Sequence, residues 1–343
     1  MAAAVHELCV IGHPSLLGGA DTELDHQIRC WQFMGITVHI CPTGPLDQNL
    51  IAMNLSERGC IYHTPLDWQS VEGLHCISFC NGEFLKHLPI IRSYARSTTF
   101  VNCMTWNFPL EIEMQSRGLI DFHLYQTDHA QNKVSAELAS YGVYRPLRFQ
   151  PYFHAADFPF CEERPRDKFR FGRISRGDGD KFGAAQLWIY DTMTAPVLKE
   201  GWIVGWDQRS AGKFSHQPPD FVQTFPEGGK SQQDFYRFAE AVIMTTDTFE
   251  NLPRVGMEAM ASGSLLVVDK RGGWNVLVDD GVNGWLCMDQ REFIYKASRC
   301  AFEHEETQMM RIRAREKLEQ NWGLTASAET WEKVFQQMAA LRR

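Results

Sequence analysis

The chain has no apolar run of the roughly 18 to 20 residues that a membrane-spanning helix needs. Its first residues, MAAAVHELCVIG, carry no basic side chain ahead of the apolar positions, and Glu7 interrupts them, so no secretion signal is expected. Positive charge is not in excess. The 34 basic and 42 acidic residues give a formal net charge of -8. That argues against nucleic acid as the main partner, because phosphate binding draws on clustered Lys and Arg. There is no Cys-x-x-Cys among the ten cysteines, and Cys76 and Cys80, four apart, have no second pair at zinc spacing. Cys9, Cys41, Cys76, Cys80 and Cys287 fall in apolar runs, where reduced thiols behave as small hydrophobes. A cytoplasmic protein without disulfides is expected, with peripheral membrane contact left open. No Gly-x-Gly-x-x-Gly follows the first apolar strand, which disfavours a dinucleotide dehydrogenase. Gly228-Gly229-Lys230-Ser231 looks like the end of a phosphate-binding P-loop, but Thr224 stands where that motif needs glycine, and an ATPase is rejected.

What remains is a soluble globular composition, 44% hydrophobic and 22% charged over 343 residues, long enough for two domains. Strand-like and helix-like segments alternate. His6 to Ile11, Thr37 to Cys41, Leu74 to Phe79, Thr98 to Cys103, Phe122 to Gln126 and Tyr144 to Phe149 read as strands. Helices are expected over Asp21 to Met34 and Phe84 to Tyr94. Pro146 to Arg166, rich in Pro, Phe and charge, reads as an interdomain linker. A second alternation starts at Phe169 to Ile174 and runs through strands at Trp202 to Gly205, Ala241 to Thr245, Leu265 to Val268 and Trp285 to Cys287. Helices are expected over Ala184 to Thr192, Gln232 to Glu240 and Glu292 to Gln320, whereas Phe221 to Pro226 is a poor candidate for a buried strand. The tail, Ala326 to Leu341, puts Trp331, Val334, Phe335, Met338 and Leu341 on one helical face. The pattern is α/β, with mostly parallel sheets covered on both faces. The expected units are 1–155, 168–322 and a C-terminal amphipathic helix over 323–343.

The segment from Thr248 to Gly284 carries the most information. Glu250 stands ahead of a turn, and Glu258 follows eight positions later on a helix. Then come Ala259-Met260-Ala261-Ser262-Gly263, an apolar strand, Gly272-Gly273 and Asp280-Gly281-Val282-Asn283-Gly284. In this order and spacing the segment resembles the donor-sugar site of family 4 glycosyltransferases, retaining enzymes of the GT-B fold. The resemblance implies two Rossmann-like domains facing a cleft, with the last helix crossing back to the first domain. It implies transfer of a sugar from a UDP- or GDP-linked nucleotide diphosphate sugar, with retention of configuration. The acceptor would be a glycan, lipid or protein. No cofactor or metal is implied, because cations and helix N-termini can neutralise the leaving diphosphate. A GT-B sugar-nucleotide epimerase and a non-catalytic GT-B subunit are the alternatives.

Residue by residue, the resemblance makes Glu258 the acceptor of the ribose hydroxyls and sets Glu250 near the sugar hydroxyls. A carboxylate suits both tasks because it only accepts and can take two donors. In Phe171-Gly172-Arg173-Ile174, Arg173 matches the diphosphate-binding arginine; Lys181, or alternatively Arg176, supplies the second cation. Gly18 and Gly19, between the first strand and helix, match the family's Gly-Gly loop at the donor diphosphate or the acceptor. The chain departs from the pattern in three places. Asn251-Leu252-Pro253 replaces Gly-Phe-Gly, and since Pro253 has no N–H, amide donation falls to Asn251, Leu252 or Arg254. Val276 stands where the family often has Glu. No histidine follows the strand ending near Val101, and His13 and His129 are left unassigned. Asp178 and Asp180 form the one Asp-x-Asp beside Lys181 and are read as solvated residues of a surface turn.

Overall fold

Strands that are buried on both faces read as unbroken apolar runs, and runs of this kind fall at regular intervals along the chain. The computed structural model describes residues 4–12, 19–44, 50–64 and 67–341. The chain divides into two compact units, Met1–His154 with Asn321–Arg343, and Ala155–Gln320.

In the first unit the strands are β1 (Glu7–Ile11), β2 (Thr37–Cys41), β3 (Ile61–Tyr62), β4 (His75–Phe79), β5 (Ser97–Val101), β6 (Phe122–Tyr125) and β7 (Pro146–Arg148). The helices between them are α1 (Gly19–Phe33), α2 (Leu50–Glu57), α3 (Gly82–Tyr94), α4 (Pro109–Ser116) and α5 (Asp128–Ala139). All seven strands are parallel, in the order β3-β2-β1-β4-β5-β6-β7. The chain builds outward from β1 in one direction and then from β4 in the other. The β1/β4 boundary is therefore a topological switch point, the kind of place at which open α/β sheets bind ligands. The start of the expected linker is instead β7, paired with β6.

The second unit repeats the plan. Its strands are β8 (Lys168–Ile174), β9 (Leu198–Val204), β10 (Val222–Phe225), β11 (Ala241–Met244), β12 (Leu265–Asp269) and β13 (Trp285–Cys287). Its helices are α6 (Gln186–Thr192), α7 (Gln208–Ala211), α8 (Gln232–Phe238), α9 (Arg254–Ser262), α10 (Trp274–Leu277), α11 (Gln290–Phe302) and α12 (His304–Trp322). The order β10-β9-β8-β11-β12-β13 is again parallel, with its switch point between β8 and β11. β10, the poor strand of the sequence, survives as an edge, where half the residues can stay in water. The P-loop-like Gly228–Ser231 is a turn. Lys230 lies over the Trp202 and Phe225 rings, and Ser231 caps α8 by accepting from the Asp234 amide.

The last helix, α13 (Leu324–Ala340), packs in the core of the first unit. Trp331 stands edge-on to Trp31 at 5.0 Å and donates from Nε1 to Gln27 Oε1 at 3.0 Å. Gln27 in turn holds the Tyr152 backbone through both its amide atoms. The apolar stripe visible in the sequence is thus the seam that seats this helix. Among the described residues no helix is long and apolar enough to cross a membrane.

Candidate functional site

The residues singled out by the sequence stand at the carboxyl edge of the second sheet. β8 ends in Arg173 and Ile174, and the chain then makes a short 3₁₀ turn, Gly179–Lys181. β11 leads through Thr245 and Thr246 to Glu250 and on to α9. These two loops flank the β8/β11 switch point, and hydrogen bonds join them. The amides of Asp247 and Thr248 donate to the Asp180 carbonyl at 2.9 and 3.2 Å, and the Gly183 amide donates to the Thr245 carbonyl at 2.8 Å. Lys213 adds a clamp, donating to the Gly179 carbonyl at 2.9 Å and also to the Phe182 carbonyl and the Asp247 carboxylate.

Across this junction the Lys181 ammonium bonds both oxygens of Glu250, at 2.8 and 3.0 Å. Both side chains are mostly shielded from water, so the pair is screened less than a surface ion pair. Lys181 and Glu250, remote in sequence, are brought together.

Arg173 is placed differently from the expectation that it meets a ligand directly. Its side chain is 0% exposed. One terminal nitrogen donates to Gln186 Oε1 at 2.8 Å and the Thr245 carbonyl at 3.2 Å; the other donates to Ser175 Oγ at 3.1 Å and the Lys181 carbonyl at 2.6 Å. The guanidinium lies 3.6 Å from the centre of the Phe182 ring, a cation–π contact. Burial pushes its pKa down to about 10, which leaves it charged at neutral pH. Among the described residues no carboxylate lies within ion-pair distance of it, although Glu250 and Asp269 are near enough to favour its charged form, so its positive charge sits under the Lys181 loop in a poorly solvated place.

Glu258 lies in the second turn of α9, beyond the first-turn position that the helix dipole favours. It is 3% exposed. Oε2 accepts from the Tyr236 hydroxyl at 2.9 Å, and Oε1 accepts a longer bond of 3.3 Å from Gln232 Nε2. Burial raises its pKa, against the opposing pull of Arg254 and of the Tyr236 bond. Asn251 and Leu252 are buried in the turn before α9, and Pro253 occupies the N-cap position.

The glycine pair shapes that turn. A Cβ on Gly273 would lie 1.7 Å from the Asn251 carbonyl oxygen, and one on Gly272, whose φ is +54°, would lie 2.6 Å from the Glu250 carbonyl oxygen. The Gly273 amide donates to that same Glu250 carbonyl at 2.8 Å. Only glycine lets these backbones approach so closely. Asp269, at the end of β12, pins the other side: Oδ1 accepts from Thr245 Oγ1 at 2.9 Å and Oδ2 from the Thr246 amide at 2.8 Å. Burial raises the Asp269 pKa despite those bonds.

Gly18 and His13 lie outside the described residues, and Gly19 opens α1. His129 is an exposed residue of α5. Arg176 is exposed and pairs with Asp178 at 3.4 Å. Asp178 is not simply solvated: Arg209 also bonds it, at 2.9 Å, while Asp180 is exposed and its backbone carbonyl serves the loop junction. Among the described residues no group of three or more His, Cys, Asp or Glu side chains could hold a metal ion. Sequence reasoning missed Gln232, Tyr236 and Lys213, whose roles depend on contacts between elements. Asp269, a carboxylate closing the apolar strand LLVVD, was open to notice.

No protein-family profile matches the chain, and no curated protein matches it by sequence. The fold has well-defined relatives among solved structures. HepE from Anabaena, in complex with UDP-glucose, superposes with a TM-score of 0.72 at 15% identity, covering 96% of this chain and 99% of that one. Sucrose-phosphate synthase from Thermosynechococcus elongatus gives a TM-score of 0.72 at 11% identity, covering 98% and 99%. A glycosyltransferase from Rickettsia africae gives 0.65 at 12% identity, covering 98% and 100%. These neighbours are GT-B glycosyltransferases, and this chain, with its two parallel Rossmann-like units, has the GT-B fold.

The close approach at the glycine pair yields a test. Gly273→Ala should cost about 1–3 kcal/mol or more, because the obstacle is backbone rather than a mobile side chain. Gly82→Ala, at the start of α3 with nothing within 4 Å of the new Cβ, should be neutral or mildly stabilising. Chemical denaturation of both variants checks this; equal stabilities would contradict the close packing of the turn.

Proposed function

We propose that this chain is a glycosyltransferase that binds a UDP-linked sugar at the carboxyl edge of its second sheet and transfers the sugar with retention of configuration. The observation that carries the reading is the Lys181–Glu250 pair, set by two loops on either side of the switch point and lying over a buried, unpaired guanidinium. Ligands of open α/β sheets bind at such points. Three solved neighbours were captured with UDP-glucose, with UDP and glucose, and with UDP and GlcNAc.

In this reading the diphosphate takes Lys181 away from Glu250. The ammonium then meets phosphate oxygens, and the freed Glu250 carboxylate accepts from sugar hydroxyls. Arg173 acts from below as a positioning residue. It holds the Lys181 carbonyl and contributes positive potential in a region of low dielectric, where a fixed charge acts more strongly than in water. Glu258 receives the ribose: its long bond to Gln232 leaves Oε1 able to exchange that partner for a hydroxyl. When the bond between the anomeric carbon and the phosphate oxygen breaks, the electron pair stays on the diphosphate. The acceptor oxygen then bonds the anomeric carbon from the same face, and its proton passes to the departing phosphate oxygen. The work assigned to Lys181 and Arg173, stabilising charge that grows on the leaving group, needs no metal.

Three outcomes test this. Burial raises the Glu258 pKa above its unfolded value, so the folded protein holds that proton more tightly than the unfolded chain. Stability from this site therefore falls as pH climbs from the unfolded value, about 4.3, through the folded one, and the ionised carboxylate is a cost at pH 7. Glu258→Gln should accordingly melt higher than the parent at pH 7, lose that advantage below about pH 4, and bind UDP-glucose roughly ten- to a hundredfold more weakly. Unaltered affinity in calorimetry would remove Glu258 from the site.

Arg173→Lys keeps the charge but cannot reproduce four directed bonds, and Arg173→Met removes both. Turnover of UDP-glucose, including its slow hydrolysis, should fall in the order parent, Lys, Met. A Met variant that folds and turns over normally would show that the buried charge does not matter.

Activity should persist in excess chelator. Complete loss, restored by Mg²⁺ or Mn²⁺ and reproduced by replacing Asp178 and Asp180 with Ala, would overturn the metal-free reading.

A further inference from the structure

Arg271 follows β12, two residues after Asp269 and directly before the Gly272–Gly273 turn. Its guanidinium lies 5.3 Å from the centre of the Phe249 ring, a cation–π contact. Among the described residues the one carboxylate that pairs with it is Asp269, at 3.7 Å, too far for a hydrogen bond. The Asp269 oxygens are already taken, by Thr245 Oγ1 and the Thr246 amide. Among the described residues no side-chain nitrogen of Arg271 donates a hydrogen bond, and Nε is shut off from water. Two inner arginines of the same unit behave otherwise. Arg173 spends its terminal nitrogens on four acceptors, and Arg164 spends its own on five. Those two serve the fold. Arg271 pays part of the desolvation cost of a charge without receiving acceptors in return. Its side chain keeps 31% of its surface exposed, so a ligand can reach it.

The order of the strands says which part of a ligand arrives there. The second sheet runs β8-β11-β12, and Lys181, Glu250 and Arg271 follow the carboxyl ends of those three strands in that order. Strands lie about 4.8 Å apart, so this stretch of edge spans about 10 Å. The third position is tied to the second. The Gly273 amide donates to the Glu250 carbonyl at 2.8 Å, and Phe249, which faces the guanidinium, is the residue before Glu250. A donor with its diphosphate at Lys181 and its sugar hydroxyls at Glu250 runs along this edge. Its end remote from the diphosphate then comes to Arg271. Arg173 and Lys181, assigned to the diphosphate, belong to the β8 side of Glu250, and Arg271 belongs to the β12 side. A guanidinium fork is matched by two oxygens in one plane that carry a charge, which a carboxylate provides. The C6 hydroxymethyl of glucose or galactose offers a single neutral oxygen. In a uronic acid that same carbon is a carboxylate.

We propose that the donor is a nucleotide diphosphate-linked uronic acid and that Arg271 selects it by receiving the C6 carboxylate on its guanidinium. This rests on the glycosyltransferase reading above and names the sugar class for the same site.

Calorimetry on the full chain tests the assignment, with UDP, the neutral pair UDP-glucose and UDP-galactose, and the acidic pair UDP-glucuronate and UDP-galacturonate as probes. In the parent protein at least one acidic donor should bind roughly ten- to a hundredfold more tightly than its neutral counterpart. Arg271→Gln should remove that difference and leave UDP affinity at the parental value. Arg271→Lys, which keeps the charge but not the fork, should restore only part of it. Equal affinity for acidic and neutral donors in the parent would overturn the proposal, whether or not the variants fold. A preference that survives in Arg271→Gln would overturn the role of this residue. A loss of UDP affinity in Arg271→Gln as large as the loss for the acidic donor would place the guanidinium on the diphosphate and overturn it as well. Failure of the parent to bind UDP or any of the four donors would overturn the donor reading itself, and this proposal with it.

Discussion

A guanidinium with no exposure and, among the described residues, no carboxylate within ion-pair distance is the constraint around which the second unit's edge is arranged. Placing Arg173 at the end of a central strand costs solvation, and the fold offsets that cost with neutral acceptors: Gln186 and Ser175 side chains, and the Thr245 and Lys181 carbonyls. Those acceptors belong to both loops that flank the switch point. Satisfying the arginine therefore sets the position of one loop against the other, and with it the meeting of Lys181 and Glu250.

The remaining pieces of that edge are steric. Gly272 and Gly273 let one turn press on the backbone of Glu250 and Asn251, and Asp269 ties the end of β12 to the Thr245 and Thr246 segment. The carboxylate of Glu258 is held from behind by Tyr236 on α8, so its orientation is a matter of helix packing rather than of local chain preference. A rigid arrangement of this sort can favour a charge distribution that develops during a reaction without reorganising at that moment.

The two sheets repeat one plan with different emphases. In the second, ionised groups at the edge carry the interest. In the first, Glu111 and His123 meet out of contact with water beneath the loop that follows β5, and Trp106 of that loop is half exposed. In both, buried polar side chains are drawn into hydrogen bonds with neighbouring loops, although Arg173 Nε is left without a partner.

Much of this was legible from residue order. Apolar runs such as Leu265 to Val268, closed by glycine or a polar residue, marked most interior strands to within a residue or two, because a strand buried on both faces must be apolar throughout; β9, expected only from Trp202, begins at Leu198, in the polar stretch Leu198-Lys199-Glu200. The stripe Trp331, Val334, Phe335 and Met338 marked a helix with one face to bury. The spacing from Glu250 to Gly284 marked the edge that carries the candidate site. Other elements escaped. β3 has only two residues, and α2, α4 and α5 carry weak or short periodicity. The expected Glu292 to Gln320 helix is broken at Glu303, whose φ of -105° and ψ of 66° leave the helical region. What the sequence by itself determined is the α/β alternation and the identity of the charged groups, since both follow from local pattern. What only the tertiary structure decided is which charges meet solvent. Arg173 and Lys181 look like equals in the chain, yet one is sealed beneath Phe182 and the other keeps a fifth of its side chain exposed while bonded to Glu250, because exposure depends on packing between segments about seventy residues apart.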